Sequence, residues 1–202
     1  MLMVYLISAV GVAPAVAGSL VFISKIYDGV TDPLMGIISD RTNSRWGRRR
    51  PYLLAGGILA ALSVIGLFSV HTVTFVPTQF WIIAMLLVAA TAYTVFNVPY
   101  MSMPAEMVQD SYERSKLMSF RVAWISVGTF VGIALAPRLV AYARDEMGVP
   151  ETEAFSMMSL ITAAIILVAS VACFVATRDA AATERTRLRV PFGEQARSAL
   201  SN

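Results

Sequence analysis

The stretch VFISKIYDGVTDPLMGIISD, residues 21–40, decides how this chain is to be read. It is apolar enough for hydrocarbon, yet Lys25, Asp28 and Asp32 stand inside it. At about 100° per residue the three fall on one stripe of a helix, with the carboxylates one turn apart. An ionised group in lipid costs on the order of 3 kcal/mol or more, so this stripe faces protein or water. Two carboxylates so close in a low dielectric do not both stay ionised unless a proton or a cation offsets their repulsion. Pro33 cannot donate to the carbonyl of Gly29 and frees a backbone oxygen beside the acids. Carboxylates, a freed carbonyl and a hydroxyl make an all-oxygen site suited to a hard cation. A Lys–Asp network that only ties helices together is the other reading of the same residues.

The rest of the chain supplies the setting. Its 202 residues are 57% hydrophobic and 14% charged, with a mean hydropathy of +0.67. Soluble domains carry about 25% charged residues. The composition excludes a water-soluble enzyme, a disordered chain and a nucleic-acid-binding module. A net charge of +3 does not revive the last, because the cations are held in short loops rather than on a face. Cys173 and His71 are the only residues of their types, so the chain alone makes neither a disulfide nor a histidine metal cluster. No phosphate-binding G-x-x-x-x-G-K-[ST] loop is present to suggest ATP-driven work.

A membrane-spanning helix needs about 20 apolar residues. Residues 1–12 are apolar but too short, the expected back half of a first span. Complete spans are predicted at 13–39, 51–70, 79–103, 117–136 and 155–177. After Arg178 the hydropathy collapses into a charged tail. Arginine and lysine favour the cytoplasmic side of short loops. Arg41, Arg45, Arg48, Arg49 and Arg50 therefore place the second connection in the cytoplasm, with Arg114 and Lys116 in the fourth and the tail beside them.

Two further spans carry polar groups. Thr94, Asn97 and Met101 recur at helical spacing, with Tyr93 and Tyr100 on the adjoining stripe. Pro99 and Pro104 free the carbonyls of Val95 and Tyr100. Such a face suits a small polar ligand needing hydrogen bonds and an aromatic surface; it equally suits interhelical hydrogen bonding. Arg121 lies about one turn inside the next span with Trp124 on the same face. The residues alone favour a snorkelling arginine and an interfacial anchor there. Asp40 and Arg48–Arg50 are placed to lock two helix ends together by charge.

Gly36-Ile-Ile-Ser-Asp40-Arg41 followed by Gly47-Arg48-Arg49-Arg50 resembles the loop signature of the major facilitator superfamily. Lys25-Ile-Tyr-Asp28-Gly-Val-Thr31-Asp32-Pro33, Arg45-Trp-Gly-Arg-Arg-Arg-Pro51 and Asn97-Val-Pro99-Tyr100 narrow it. They resemble the glycoside–pentoside–hexuronide:cation symporters, the melibiose-permease group.

That resemblance implies an all-α membrane protein, the six-helix amino-terminal bundle of a major facilitator fold with its first helix incomplete. Residues 1–177 would form the bundle and 178–202 a cytoplasmic linker, in the inner (plasma) membrane. The implied activity is secondary transport, not catalysis: symport of a sugar or glycoside coupled to Na+ or H+, with no other cofactor. Asp28 and Asp32 match the coupling-cation carboxylates and would hold the metal if the ion is Na+, with Thr31 and Thr94 as further oxygens. Lys25 matches a basic residue near that site and joins Asn97, Tyr100, Met101, Arg121 and Trp124 in the substrate set. Asp40, Arg41, Arg48 and Arg49 match a cytoplasmic gate.

Two positions depart from the group. Asn97 replaces a sugar-binding aspartate and Met101 a stacking tryptophan, which argues against a galactoside. The implied partners are membrane lipid, a small polar substrate, and a carboxy-terminal six-helix half or a second copy. A lysolipid or drug carrier on the same fold and a non-transporting fragment are the competing expectations.

Overall fold

The computed structural model describes residues 2–42, 44–69, 77–108 and 110–178. His71 and the tail arginines from Arg185 onward lie outside the described residues, as does almost all of the expected linker. Helix α1, Leu2–Val4, runs into a π-helical turn at Tyr5–Ala9. Five long helices follow: α2 Pro14–Arg41, α3 Arg50–Phe68, α4 Thr78–Met107, α5 Ser111–Asp145 and α6 Glu151–Ala176. There is no strand among the described residues.

Helices α3, α4, α5 and α6 are long and apolar enough to cross a membrane. Helix α2, at 28 residues, matches them in length but is interrupted by Lys25, Asp28 and Asp32. It continues unbroken through Pro33, as α4 does through Pro99 and Pro104. The helices outrun the apolar segments where polar residues extend them. Helix α5 starts ahead of Leu117 because the Asp110 side chain accepts the Glu113 N–H at 3.2 Å, capping its first turn. At its other end it passes Ala136 and Pro137 to reach Asp145, carrying Arg138 and Arg144. Helix α6 starts at Glu151, where Glu151 and Glu153 suit the positive end of its dipole.

The bundle is built around α3, which packs against both α4 and α6; α2 lies against α4 and α5 against α6. Neighbouring glycines on α3 permit this double approach. A Cβ at Gly56 would stand 2.7 Å from the backbone nitrogen of Phe96 on α4, and one at Gly57 would overlap the Ser170 side chain on α6. Small residues let membrane helices close in until backbones touch.

At the end of the bundle away from the 42–49 connection, three aromatic rings close the core. Tyr5 lies 4.9 Å from Phe68 and 5.0 Å from Phe155 between centroids. The Phe68 carbonyl, at the end of α3, accepts hydrogen bonds from the Tyr5 hydroxyl (3.2 Å) and from Ser156 Oγ (2.9 Å). The short first segment is thereby tied to α3 and α6.

Candidate cation and substrate site

The charged stripe of α2 is brought against α4. Thr94 is 2% exposed, and its hydroxyl donates to Asp32 Oδ1 at 2.7 Å. Thr31 Oγ1 lies 3.4 Å from Thr94 Oγ1 and within 3.1 Å of the Tyr27 carbonyl. Three of the four residues expected to hold a cation therefore meet at one point of the α2–α4 seam. All present oxygens.

Asp28 stands one turn from this cluster. Its Oδ2 takes the Lys25 ammonium at 2.8 Å, while its Oδ1 is buried without a hydrogen-bond partner. The pair is lopsided: the Lys25 side chain is 68% exposed and that of Asp28 is 14% exposed. A buried carboxylate oxygen without a donor is open to an ion or a proton. Among the described residues no group of three or more His, Cys, Asp or Glu could hold a metal. Any ion held here would rely on two carboxylates supplemented by hydroxyl and carbonyl oxygens, a donor set for a hard monovalent ion or a proton rather than for a transition metal.

The expected substrate residues divide. Tyr100, Arg121 and Trp124 line one cavity of about 350 Å³ between α4, α5 and α6, with Met103, Phe120 and Cys173. The Arg121 guanidinium sits 5.2 Å from the centre of the Tyr100 ring, and its Nε is buried without a partner. The guanidinium is thus turned inward onto an aromatic face, not drawn out toward an interface. Asn97, Met101 and Lys25 do not line this cavity. Met101 lies one residue beyond Tyr100, so its side chain leaves α4 about 100° away and is exposed.

At the 42–49 end, Arg48 and Arg49 each donate to Asp40 Oδ1 at 2.7 Å. Partial burial works to raise the Asp40 carboxyl, but the two arginines outweigh it and hold the group below the ordinary carboxylate value. Arg41 is exposed and forms no ion pair among the described residues. Arg50 turns the other way. It donates to the Phe174 carbonyl of α6 at 2.7 Å and to the Trp46 carbonyl at 3.1 Å, and lies 4.6 Å from the Phe174 ring centre. Trp46 meets the same ring edge-on at 5.8 Å.

Two residues of the α2–α4 seam escaped the sequence reading. The Tyr27 hydroxyl and Thr91 Oγ1 lie 3.1 Å apart, one turn from the Thr31–Thr94 contact. Their signal was available, since Tyr27 and Thr31 stand at i, i+4 on α2 and Thr91 and Thr94 at i, i+3 on α4. Without knowledge of which helix faces α2, neither pair could be matched.

A family model described as MFS/sugar transport protein matches residues 1–202. A Synechocystis protein named an uncharacterized symporter, sll1374, is 34% identical over 172 residues, 82% of this chain and 32% of its own length. The isoprimeverose transporter of Lactiplantibacillus pentosus is 26% identical over 95% of this chain and 40% of its own. The sodium-dependent lysophosphatidylcholine symporter 1 of Gallus gallus is 24% identical over 70% of this chain and 27% of its own. The chain thus spans well under half the length of these curated relatives. With a whole-chain match to the family and four helices long and apolar enough to cross a membrane among the described residues, this multi-pass membrane chain belongs to the MFS/sugar transport protein family.

Proposed function

We propose that this bundle carries the coupling-ion site and part of the sugar site of a secondary symporter that works with a second six-helix unit. The observation that carries the reading is the oxygen cluster of Asp32, Thr94 and Thr31 beside Asp28, whose Oδ1 is buried and unpartnered. A Na+ or H+ arriving there offsets the repulsion between the two carboxylates. The seam is then satisfied with substrate bound, so ion and sugar raise one another's affinity, as linkage requires. Tyr100, Arg121 and Trp124 supply an aromatic face and a fork of donors, the groups that recognise a sugar ring and its hydroxyls. The basic 42–49 connection and the tail lie on the cytoplasmic side. No covalent chemistry is involved.

The test is equilibrium binding of labelled glycosides to the purified chain in lipid nanodiscs, titrated against sodium and against pH. Sugar affinity is expected to rise with one of the two ions, and Asp32→Asn is expected to flatten that dependence. A wild-type affinity indifferent to both ions overturns the reading. The lysolipid reading is favoured by the apolar share of the cavity wall, Leu117 and Phe120 among it. Binding of lysophosphatidylcholine in place of every glycoside would select it.

A further inference from the structure

The α2–α4 seam is a ladder with a direction. Three side-chain contacts cross it, Tyr27 with Thr91, Thr31 with Thr94 and Asp32 with Thr94, at sequence separations of 64, 63 and 62. Nearly constant separations mean that the helices run parallel and in register. The rungs furthest along the chain hold the proposed ion oxygens. The first holds none, and nothing in an ion site requires it.

Proton bookkeeping gives that first rung its role. A hydroxyl has one proton to donate. The Thr91 proton is committed to the Leu87 carbonyl at 2.8 Å, so Tyr27 must be the donor across the seam. The chain of bonds is Tyr27 O–H to Thr91 Oγ1, and Thr91 O–H to the Leu87 carbonyl. The Tyr27 carbonyl in turn lies 3.1 Å from Thr31 Oγ1, so the residue that grips α4 with its side chain also engages the Thr31 hydroxyl through its backbone. One turn on, Thr94 spends its own proton on Asp32 Oδ1, leaving its oxygen lone pairs to face Thr31 and any ion.

We propose that Tyr27 and Thr91 are positioning residues for the coupling-ion site: a clasp setting the register of α2 on α4 that brings Asp32, Thr31 and Thr94 into coordinating distance. The inference rests on the ion site of the preceding section and adds a pair outside the ion's own ligands. Removing the clasp leaves every ion ligand in the chain but frees α2 to turn or slide against α4. Ion affinity falls while the fold persists.

The experiment is calorimetric titration of the purified full chain with sodium chloride, against choline chloride, for wild type, Tyr27→Phe, Thr91→Val, Thr91→Ser and Asp32→Asn. Thermal unfolding of each without sodium runs in parallel. The expected result is about fivefold weaker sodium binding in Tyr27→Phe and Thr91→Val, with Thr91→Ser near wild type because it keeps the acceptor. Melting temperatures of the first two are expected to stay close to wild type. Unchanged sodium affinity in Tyr27→Phe, with binding lost in Asp32→Asn, overturns the clasp and leaves the ion site standing. An Asp32→Asn chain that binds like wild type overturns the ion site itself. A wild-type chain that binds no sodium overturns the inference together with the sodium form of that reading. Loss of affinity matched by an equal fall in stability, without rescue by Thr91→Ser, shows a merely structural pair and overturns the proposal.

Discussion

Gly56 of α3 and Phe96 of α4 meet backbone to side-chain position: a Cβ on the glycine would lie 2.7 Å from the Phe96 nitrogen and 2.8 Å from its Cβ. Neither of those atoms belongs to a flexible side-chain end, so neither can step aside. The central helix is therefore held at a distance that only hydrogen satisfies at this position. Gly56→Ala is expected to destabilise the bundle by about 1–3 kcal/mol, and Gly56→Leu to prevent a monodisperse fold. Gly128→Ala on α5 is the control, because nothing stands within 4 Å of a Cβ there. Thermal unfolding and size-exclusion profiles separate the three.

Tyr5 contributes by its ring more than by its hydroxyl. Ser156 also donates to the Phe68 carbonyl, so Tyr5→Phe leaves that acceptor satisfied and is expected to cost about 0.5–1.5 kcal/mol. Tyr5→Ala removes a fully buried ring tilted against both Phe68 and Phe155, at an expected cost of about 3–5 kcal/mol. Equal losses from the two variants in denaturation would refute this division.

Asp40 gives the fold a pH dependence of definite sign. Its carboxyl is held below the ordinary value by Arg48 and Arg49, so the stabilisation it provides is present above the unfolded-state pKa of about 4. It is lost as pH falls through the lower folded-state value. Wild type is expected to lose melting temperature over that acidic window, and Asp40→Asn to lose less. High salt should shrink the difference, since the Asp40 side chain is 54% exposed.

Arg50 can be followed through a native reporter. Cys173, the chain's one cysteine, is part-buried next to Phe174, whose carbonyl and ring Arg50 holds. Arg50→Ala is expected to free this end of α6 and speed maleimide labelling of Cys173 several-fold. Arg50→Lys recovers little of the protection, because an ammonium cannot lie flat on the ring while donating to two carbonyls. Labelling rates indistinguishable among the three would refute the clamp.

The sequence made the helices legible because hydrocarbon imposes a length that apolar runs either meet or miss. The charged stripe of α2 was legible for the same reason: an ionised residue among lipid-length apolar runs has few explanations. Which helix answers that stripe was not. Thr94 reads equally as glue or ligand until α4 is seen to carry it to Asp32. The residues around Arg121 alone favour a snorkelling side chain, the family resemblance puts it in the substrate set, and its place over the Tyr100 ring shows that it turns inward. Helix α5 ran past Ala136 because helix formation tolerates Arg138 and Tyr142, whereas a hydropathy boundary does not. The parting of Arg50 from Arg48 and Arg49 had no trace in a run of three identical residues.

Parallel alignment of α2 and α4 has a mechanical consequence. Helices whose rungs share one register can only slip together or not at all: a displacement of one turn, about 5.4 Å, would break all three rungs at once. A slide of that size has no partial form, because no rung survives to hold the helices part-way. If the proposed ion binds at these rungs, a slide of α2 along α4 cannot release it piecemeal, because the Thr31 and Asp32 contacts with Thr94 are made or lost together.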